Sequence, residues 1–356
     1  MSASTHFDRK ALVAGLVAAG AVVPAIYVGS RQFAHFDFAL TTYATGSVLA
    51  AFAVGYRLTV WGQRPPSRMY LKRGLQLLLR SRFKVQSSKF KAASPVVVAG
   101  GALATNFAAQ NFIRRRSVYR WVMHLCLSGG CTLAFAVAFP LVFGWVHFEP
   151  FADNAEMYQV HLFGFAVDSM SVHSLKAELM FNMLNISAGF ALIGLVMAAI
   201  RRMTNAGERA VQTFSEDILP LLIIFVVTVT GLMLTVSYKF LAGRGHSVVA
   251  VAHTASVITL LFYIPFGKLF HMFQRNCSLA VSLYKKAGVN GPRAHCLRCG
   301  EDFGSQMHVD DLKTVLDQLG FNYRFATKKG PVHYQDICPP CRRRLLALNQ
   351  GRTVGR

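Results

Sequence analysis

Residues 251–275 read VAHTASVITLLFYIPFGKLFHMFQR, the heart of an apolar stretch, Val248 to Arg275, with a histidine near each end. Read as one helix, it separates His253 from His271 by 18 residues. At roughly 100° per residue that is about five whole turns, so both imidazoles leave one face. The rise over the same interval is about 27 Å, close to the hydrocarbon thickness of a bilayer. One stripe with an imidazole near each membrane surface suits a helix serving two stacked b-type haems, since a neutral imidazole nitrogen is a good axial ligand. The plainer reading makes both histidines polar residues at helix ends, bonded to headgroups or neighbouring carbonyls.

The chain around this stretch belongs to the membrane. Its 356 residues are 53% hydrophobic, with mean hydropathy +0.37. A net charge of +22 would fit nucleic acid in a soluble protein. Here the excess Lys and Arg lies between apolar runs, as the positive-inside rule requires, and nucleic acid is excluded as a partner. The spans expected are Ala11 to Gly29, Phe38 to Val60, Val118 to Phe148, Leu179 to Ile200, Ile218 to Phe240 and the opening stretch. Ala93 to Ile113 is broken by Gly100, Gly101, Asn106, Gln110 and Asn111 and is expected to pack at the cytoplasmic side without crossing. No cleavable signal peptide is expected.

Arg64 to Lys91 is basic throughout, and Leu71, Leu75, Leu78 and Leu79 at helical spacing predict a surface helix on anionic lipid. Glu149 to Glu178 is acidic and is expected outside. The sequence thus predicts an all-α polytopic membrane protein of about six transmembrane helices with a small cytoplasmic metal-binding α+β domain. Its expected parts are an N-terminal hairpin (1–62), a basic cytoplasmic segment (63–116), a four-helix haem-binding region (117–275) and a tail (276–356). Both termini are expected in the cytoplasm of a cell inner membrane.

Ile264 to His271 (IPFGKLFH) resembles the end of the last membrane helix in the haem b (gamma) subunit of respiratory nitrate reductases and their heterodisulfide-reductase-like relatives. The resemblance is specific over this helix and extends over roughly residues 100–280. It implies two haem ligands on that helix, His253 and His271. RRRSVYRWVMHLCLSGG, residues 114–130, resembles the family's facing ligand helix and supplies His124, at the depth of His271. Gly129 and Gly130 beyond it would leave room for a flat macrocycle. The family's second ligand on that helix, ten residues on, is Ala134 here. His253 then has only His147, His161 and His173 to choose among, and one haem b or two remain open. Arg114 to Arg116 and Lys268 are candidates for haem propionates, although setting topology explains them equally well. By the same resemblance His173, Lys176 and Glu178 would lie where a membrane quinol surrenders protons.

The tail carries Cys296-Leu-Arg-Cys299-Gly300 and Cys338-Pro-Pro-Cys341. Two CxxC pairs are a strong signal for a tetrahedral zinc or a single iron. In a domain so small and polar, metal closure would supply much of the folding energy. The first pair resembles rubredoxin, as does Cys338-Pro339. The second departs from it, with Arg342 where rubredoxins have glycine, which tips the expectation toward structural zinc. A helix over Val309 to Leu319 and a strand over Asn322 to Ala326 are expected between the pairs.

The resemblance implies an electron-transfer subunit, not a complete enzyme, linking membrane quinone to a cytoplasmic iron-sulfur or flavin subunit. The competing class is a haem-free transporter or a membrane-tethered zinc-ribbon scaffold. Against transport, the sequence has no inverted repeat.

Overall fold

The computed structural model describes residues 8–33, 36–79, 85–87, 90–93, 97, 100–101, 103–327 and 330–355. Of the basic segment, Arg80, Arg82, Lys84 and Lys89 lie outside the described residues, as do parts of 93–113.

Six described helices are long and apolar enough to cross a membrane. In chain order, α1 is Arg9–Gly29, α2 Phe38–Gln63, α3 Pro65–Leu79 and α4 Asn111–Arg114. Next come α5 Val118–Val142, α6 Leu175–Phe181, α7 Met183–Thr204 and α8 Ala206–Val211. α9 is Leu219–Phe240 and α10 His246–Phe266, followed by α11 His271–Asn276 and α12 Ser278–Val289. α13, Gln306–Gln318, and α14, Pro339–Val354, follow in the tail. The six candidate spans are α1, α2, α5, α7, α9 with its preceding turn, and α10. Between 6% and 28% of their apolar windows is buried, so most of that surface faces outward, as lipid-facing helices require.

The chain forms two compact units, one of Met1–Thr59 with Ala109–Phe273, the other of Val60–Ala108 with Gln274–Arg356. The first is the membrane bundle. Small residues set its closest approaches. A Cβ on Gly130 would lie 2.6 Å from the Ala191 nitrogen, and one on Gly194 2.5 Å from that of Leu127, so α5 and α7 meet backbone to backbone. Gly15 and Gly55 do the same for the α1–α2 hairpin. Thr235 donates to Asn185 at 2.9 Å and ties α9 to α7. Leu195, Ile223, Ile224, Leu260 and Ile264 form the buried cluster, bordered by Val54 and by Leu127, Cys131 and Phe135 along one stripe of α5.

Two spans end earlier than their hydropathy predicts. α5 stops at Val142, where Gly144 (φ 71°) turns the chain into an antiparallel sheet. Its strands are β3 Val146–Pro150, β4 Met157–Leu162 and β5 Phe165–Ser171, with a two-residue turn at Phe163 (φ 51°) and Gly164 (φ 85°) between the last two. The opening stretch is not one helix. α10 ends at Phe266, a 3₁₀ turn covers Lys268–Phe270, and α11 starts anew at His271. Pro265 has no amide hydrogen to continue the ladder, and Gly267 is extended (φ −92°, ψ −169°) with the Tyr263 ring where its Cβ would stand. Arg57 of α2 donates to the freed carbonyls of Pro265 and Gly267 and sits 4.4 Å over the Phe270 ring. The same-face relation of His253 and His271 rests on an unbroken helix, and the break removes that basis.

In the second unit the basic helix α3 packs on the tail. Gly74 abuts Ala280 of α12, and Tyr70 meets Tyr284 edge to face at 5.1 Å. Arg73 forms a forked ion pair with the buried Asp311 of α13, at 2.8 to 3.1 Å, and the Tyr284 hydroxyl donates to the same carboxylate at 3.0 Å. One face of the predicted lipid-lying helix is thus taken by the protein, while Leu75 and Leu79 stay exposed. The unit also holds three two-stranded sheets: β1 (Val85–Ser87) with β2 (Phe90–Ala93), β6 (Arg293–His295) with β7 (Asp302–Ser305), and β8 (Arg324–Thr327) with β9 (Gly330–His333).

Candidate functional site

The four cysteines of the tail converge. Their sulfurs lie within 4.8 Å of one another, and Cys299 Sγ is 3.6 Å from Cys338 Sγ. A tetrahedron of sulfurs 2.3 Å from a metal has edges of about 3.8 Å, so the cluster is ready-made for one ion. The first CxxC is a turn closed by Gly300 in the left-handed region (φ 78°), a conformation glycine adopts without strain. Amides of Cys338 and Arg298 point at Cys296 Sγ from 3.2 and 3.4 Å.

Burial would raise the Cys296 thiol, but the amides of Cys338, Cys299 and Arg298 outweigh it and bring its pKa to about 6. Cys341 is pushed up to about 12, first by the Cys338 sulfur and then by burial. The second CxxC is the first turn of α14. Arg342, in helical conformation, donates to the Ile337 carbonyl at 2.6 Å and lies 5.2 Å over Tyr334. The two halves of the site are therefore a turn and a helix start, unlike the paired turns that the rubredoxin resemblance implies. The cluster fits zinc or iron. Around it the core is small: Cys296, Ile337 and Cys338, with Phe303, Cys341 and Leu345.

Among the histidines, His124 of α5 is held by a residue with no obvious sequence signal. Gln110 is buried in a left-handed conformation (φ 50°), accepts from His124 Nδ1 at 2.8 Å and donates to Ser128 at 2.7 Å. His124 and Ser128 are four residues apart, so one amide spans one face of α5. Trp121 holds the same loop by donating to the Ala109 carbonyl at 2.7 Å.

His271, exposed at the start of α11, donates from Nδ1 to the Lys268 carbonyl at 2.7 Å. His253 rests on α9, its Nδ1 3.0 Å from the Thr230 hydroxyl and its ring over Gly231. Thr230 also lies 2.7 Å from the Val226 carbonyl, to which it donates. For His124 and His271, whose partners are carbonyl oxygens that can only accept, Nδ1 carries the proton and the lone pair lies on Nε2, the arrangement by which proteins orient metal-binding imidazoles. Leu127, one turn from His124, and Met272 and Phe273, next to His271, border the same apolar cluster. Of the two glycines predicted to make room beside His124, Gly129 faces open space and Gly130 is filled by α7.

The remaining candidates lie in the connection between α5 and α7. His147 is on β3, stacked on His161 of β4 at 4.7 Å, next to Glu149. Arg31 reaches both His147 and Glu149, the latter at 2.7 Å. Burial, then the Arg31 charge, holds the His147 pKa below its ordinary value, and Arg31 also draws the Glu149 carboxyl down. His173, in the turn before α6, is exposed, as are Lys176 and Glu178 in its first turn. Lys176 is engaged by Asp168, and Lys268, a propionate candidate, by Asp217 at 2.6 Å.

Comparison with family models, with curated proteins and with solved structures finds no match to this chain. The chain is an α-helical multi-pass membrane protein with a four-cysteine site able to hold zinc or iron.

Proposed function

We propose that the chain is the haem b membrane subunit of a respiratory oxidoreductase, passing electrons between membrane quinone and a cytoplasmic redox partner. The observation that carries this reading is the shared tautomer of His124 and His271, each with Nδ1 donating to a carbonyl oxygen. A packing histidine needs only one good hydrogen bond from either nitrogen; an axial ligand needs this one. His124 and His271 form the inner pair, because residues beside both border one apolar cluster. Gly129 supplies open space on the α5 side.

His253 is the ligand for a second haem only if a partner reaches it, and His147 is engaged by His161 and Arg31 instead. The haem would supply the one-electron couple. The protein's part is to fix the imidazoles through Gln110 and Lys268 and to keep water out with the apolar cluster. His173, Lys176 and Glu178 stay the candidates for quinol. In the tail, the helical second CxxC favours zinc over a redox iron, and Arg342 to Arg344 would then serve assembly with a partner.

Spectra of purified protein, oxidised and dithionite-reduced, with haem, zinc and iron quantified, test the reading. A low-spin b-type haem is expected, with at least one haem per chain lost in His271→Ala and zinc retained. Full haem content in that variant, or a wild type without haem, favours the haem-free scaffold reading.

A further inference from the structure

We propose that His147, His161 and Glu149 form a binding site for a borderline divalent transition ion, zinc(II) in the first instance, and that the Arg31 guanidinium occupies it when no ion is present. This assignment does not rest on the haem reading, for it uses none of His124, His253 or His271.

The sheet builds the site. His147 and Glu149 alternate along β3 and so share a face, while His161 is the cross-strand partner of His147. Pairing of β4 with β5 shifts register between Val160 and His161. Such bulges re-aim a side chain and are common beside functional sites. The ligand atoms are spaced for one ion: His147 Nε2 lies 3.5 Å from Glu149 Oε1, and His161 Nε2 3.5 Å from Glu149 Oε2. Two donors 2.0 to 2.1 Å from a tetrahedral ion stand about 3.3 Å apart.

An independent observation points to a ligand. Both ring nitrogens of His161 are buried without a hydrogen bond, a costly state for an imidazole. Meanwhile Arg31 Nη2 sits against His147 Nε2 and Glu149 Oε1, where a cation contacting both donors would stand. It does so from three successive left-handed residues, Arg31, Gln32 and Phe33 (φ 52°, 61° and 64°), at the start of the α1–α2 connection. Two imidazoles and one carboxylate select zinc or copper(II) over calcium or magnesium, which prefer oxygen. A tetrahedral ion would keep one position for water or a further ligand.

The test is zinc binding by the full chain in detergent, with metal content measured after dialysis. Two zinc equivalents are expected in wild type, one of them lost in His161→Ala or His147→Gln and kept in Cys338→Ser. Arg31→Ala removes the competing cation and should tighten the second equivalent at least tenfold. An unchanged two equivalents in both histidine variants overturns the site. If those variants fail to fold, Arg31→Ala decides: unchanged or weaker binding by the folded variant overturns the proposal, and tighter binding supports it.

Discussion

Gln110 carries more of the His124 environment than any sequence pattern suggests. Its amide is the acceptor for Nδ1 and the donor to Ser128, yet its backbone is left-handed, which costs an L-residue about 1–2 kcal/mol. Two substitutions separate these effects. Gln110→Ala deletes both hydrogen bonds and keeps the strain, and should lower stability by about 1–3 kcal/mol, the cost of stranding buried polar groups. Gln110→Gly deletes the bonds but relieves the strain, and should fall between Ala and wild type in thermal unfolding. A Gly variant more stable than wild type would show the amide bridge to be worth less than the backbone conformation. In the sequence Gln110 reads only as a polar interruption of an apolar run. The four cysteines were legible because their residue type and spacing carry chemistry, whereas the histidines stood out by residue type and their spacing assumed a helix that breaks. The residues that orient the histidines, Gln110, Thr230 and the Lys268 carbonyl, were not legible, since a hydrogen bond to an imidazole demands no particular residue type. The His147–His161–Glu149 group was hidden for another reason: it needs a cross-strand register that only the folded sheet supplies.

Helix contacts in the bundle rest on particular glycines, and two adjacent ones behave differently. A Cβ on Gly130 would meet the backbone of α7 at 2.6 and 2.7 Å, whereas one on Gly129 meets nothing within 4 Å. Backbone cannot give way as a flexible side chain can. Gly130→Ala should therefore destabilise by about 1–3 kcal/mol through forced separation of α5 and α7. Gly129→Ala should be neutral or stabilising by up to about 1 kcal/mol, from helix propensity alone. Thermal unfolding of both variants in one detergent checks the pair, and equal losses would contradict the observed packing. The break in the opening stretch teaches a related lesson. Pro265 and Gly267 are breakers in plain view, but 25 continuous residues without an acid read as one span by hydropathy. What tips the balance is Arg57, a distant cation that satisfies the carbonyls released at the break. The same limit hid the docking of α3. Its leucines predict an apolar surface to cover, while the contacts that fix it, Arg73 with Asp311 and Gly74 with Ala280, join residues more than 200 apart.

For the molecule as a whole, the six spans were legible because long apolar runs have few alternatives in structure. Whether Ala93 to Ile113 crosses is the point on which topology turns. Here the folded bundle supplies an argument that hydropathy cannot. Arg31, in the α1–α2 connection, reaches Glu149, in the α5–α7 connection, and Trp145 donates to Ala25 at 2.9 Å. Both connections therefore share one side of the bundle. From Arg31 the chain crosses once through α2 and once through α5 to reach Glu149, so a third crossing between them would put the two residues on opposite sides. The contact needs an even number of crossings between Arg31 and Glu149, and α2 and α5 supply two. The positive-inside rule predicts the cytoplasmic side for Arg114 to Arg116, Arg201 and Arg202, at the other ends of the spans. A membrane-impermeant maleimide applied to intact cells should label Ser169→Cys, in β5, above the wild-type background. Asn205→Cys, at the α7–α8 turn, should be labelled only after permeabilisation. Labelling of Asn205→Cys but not Ser169→Cys in intact cells would invert the protein. Labelling of both from outside would mean that one helix of the six does not cross, and the Arg31–Glu149 contact would have to be broken in the membrane.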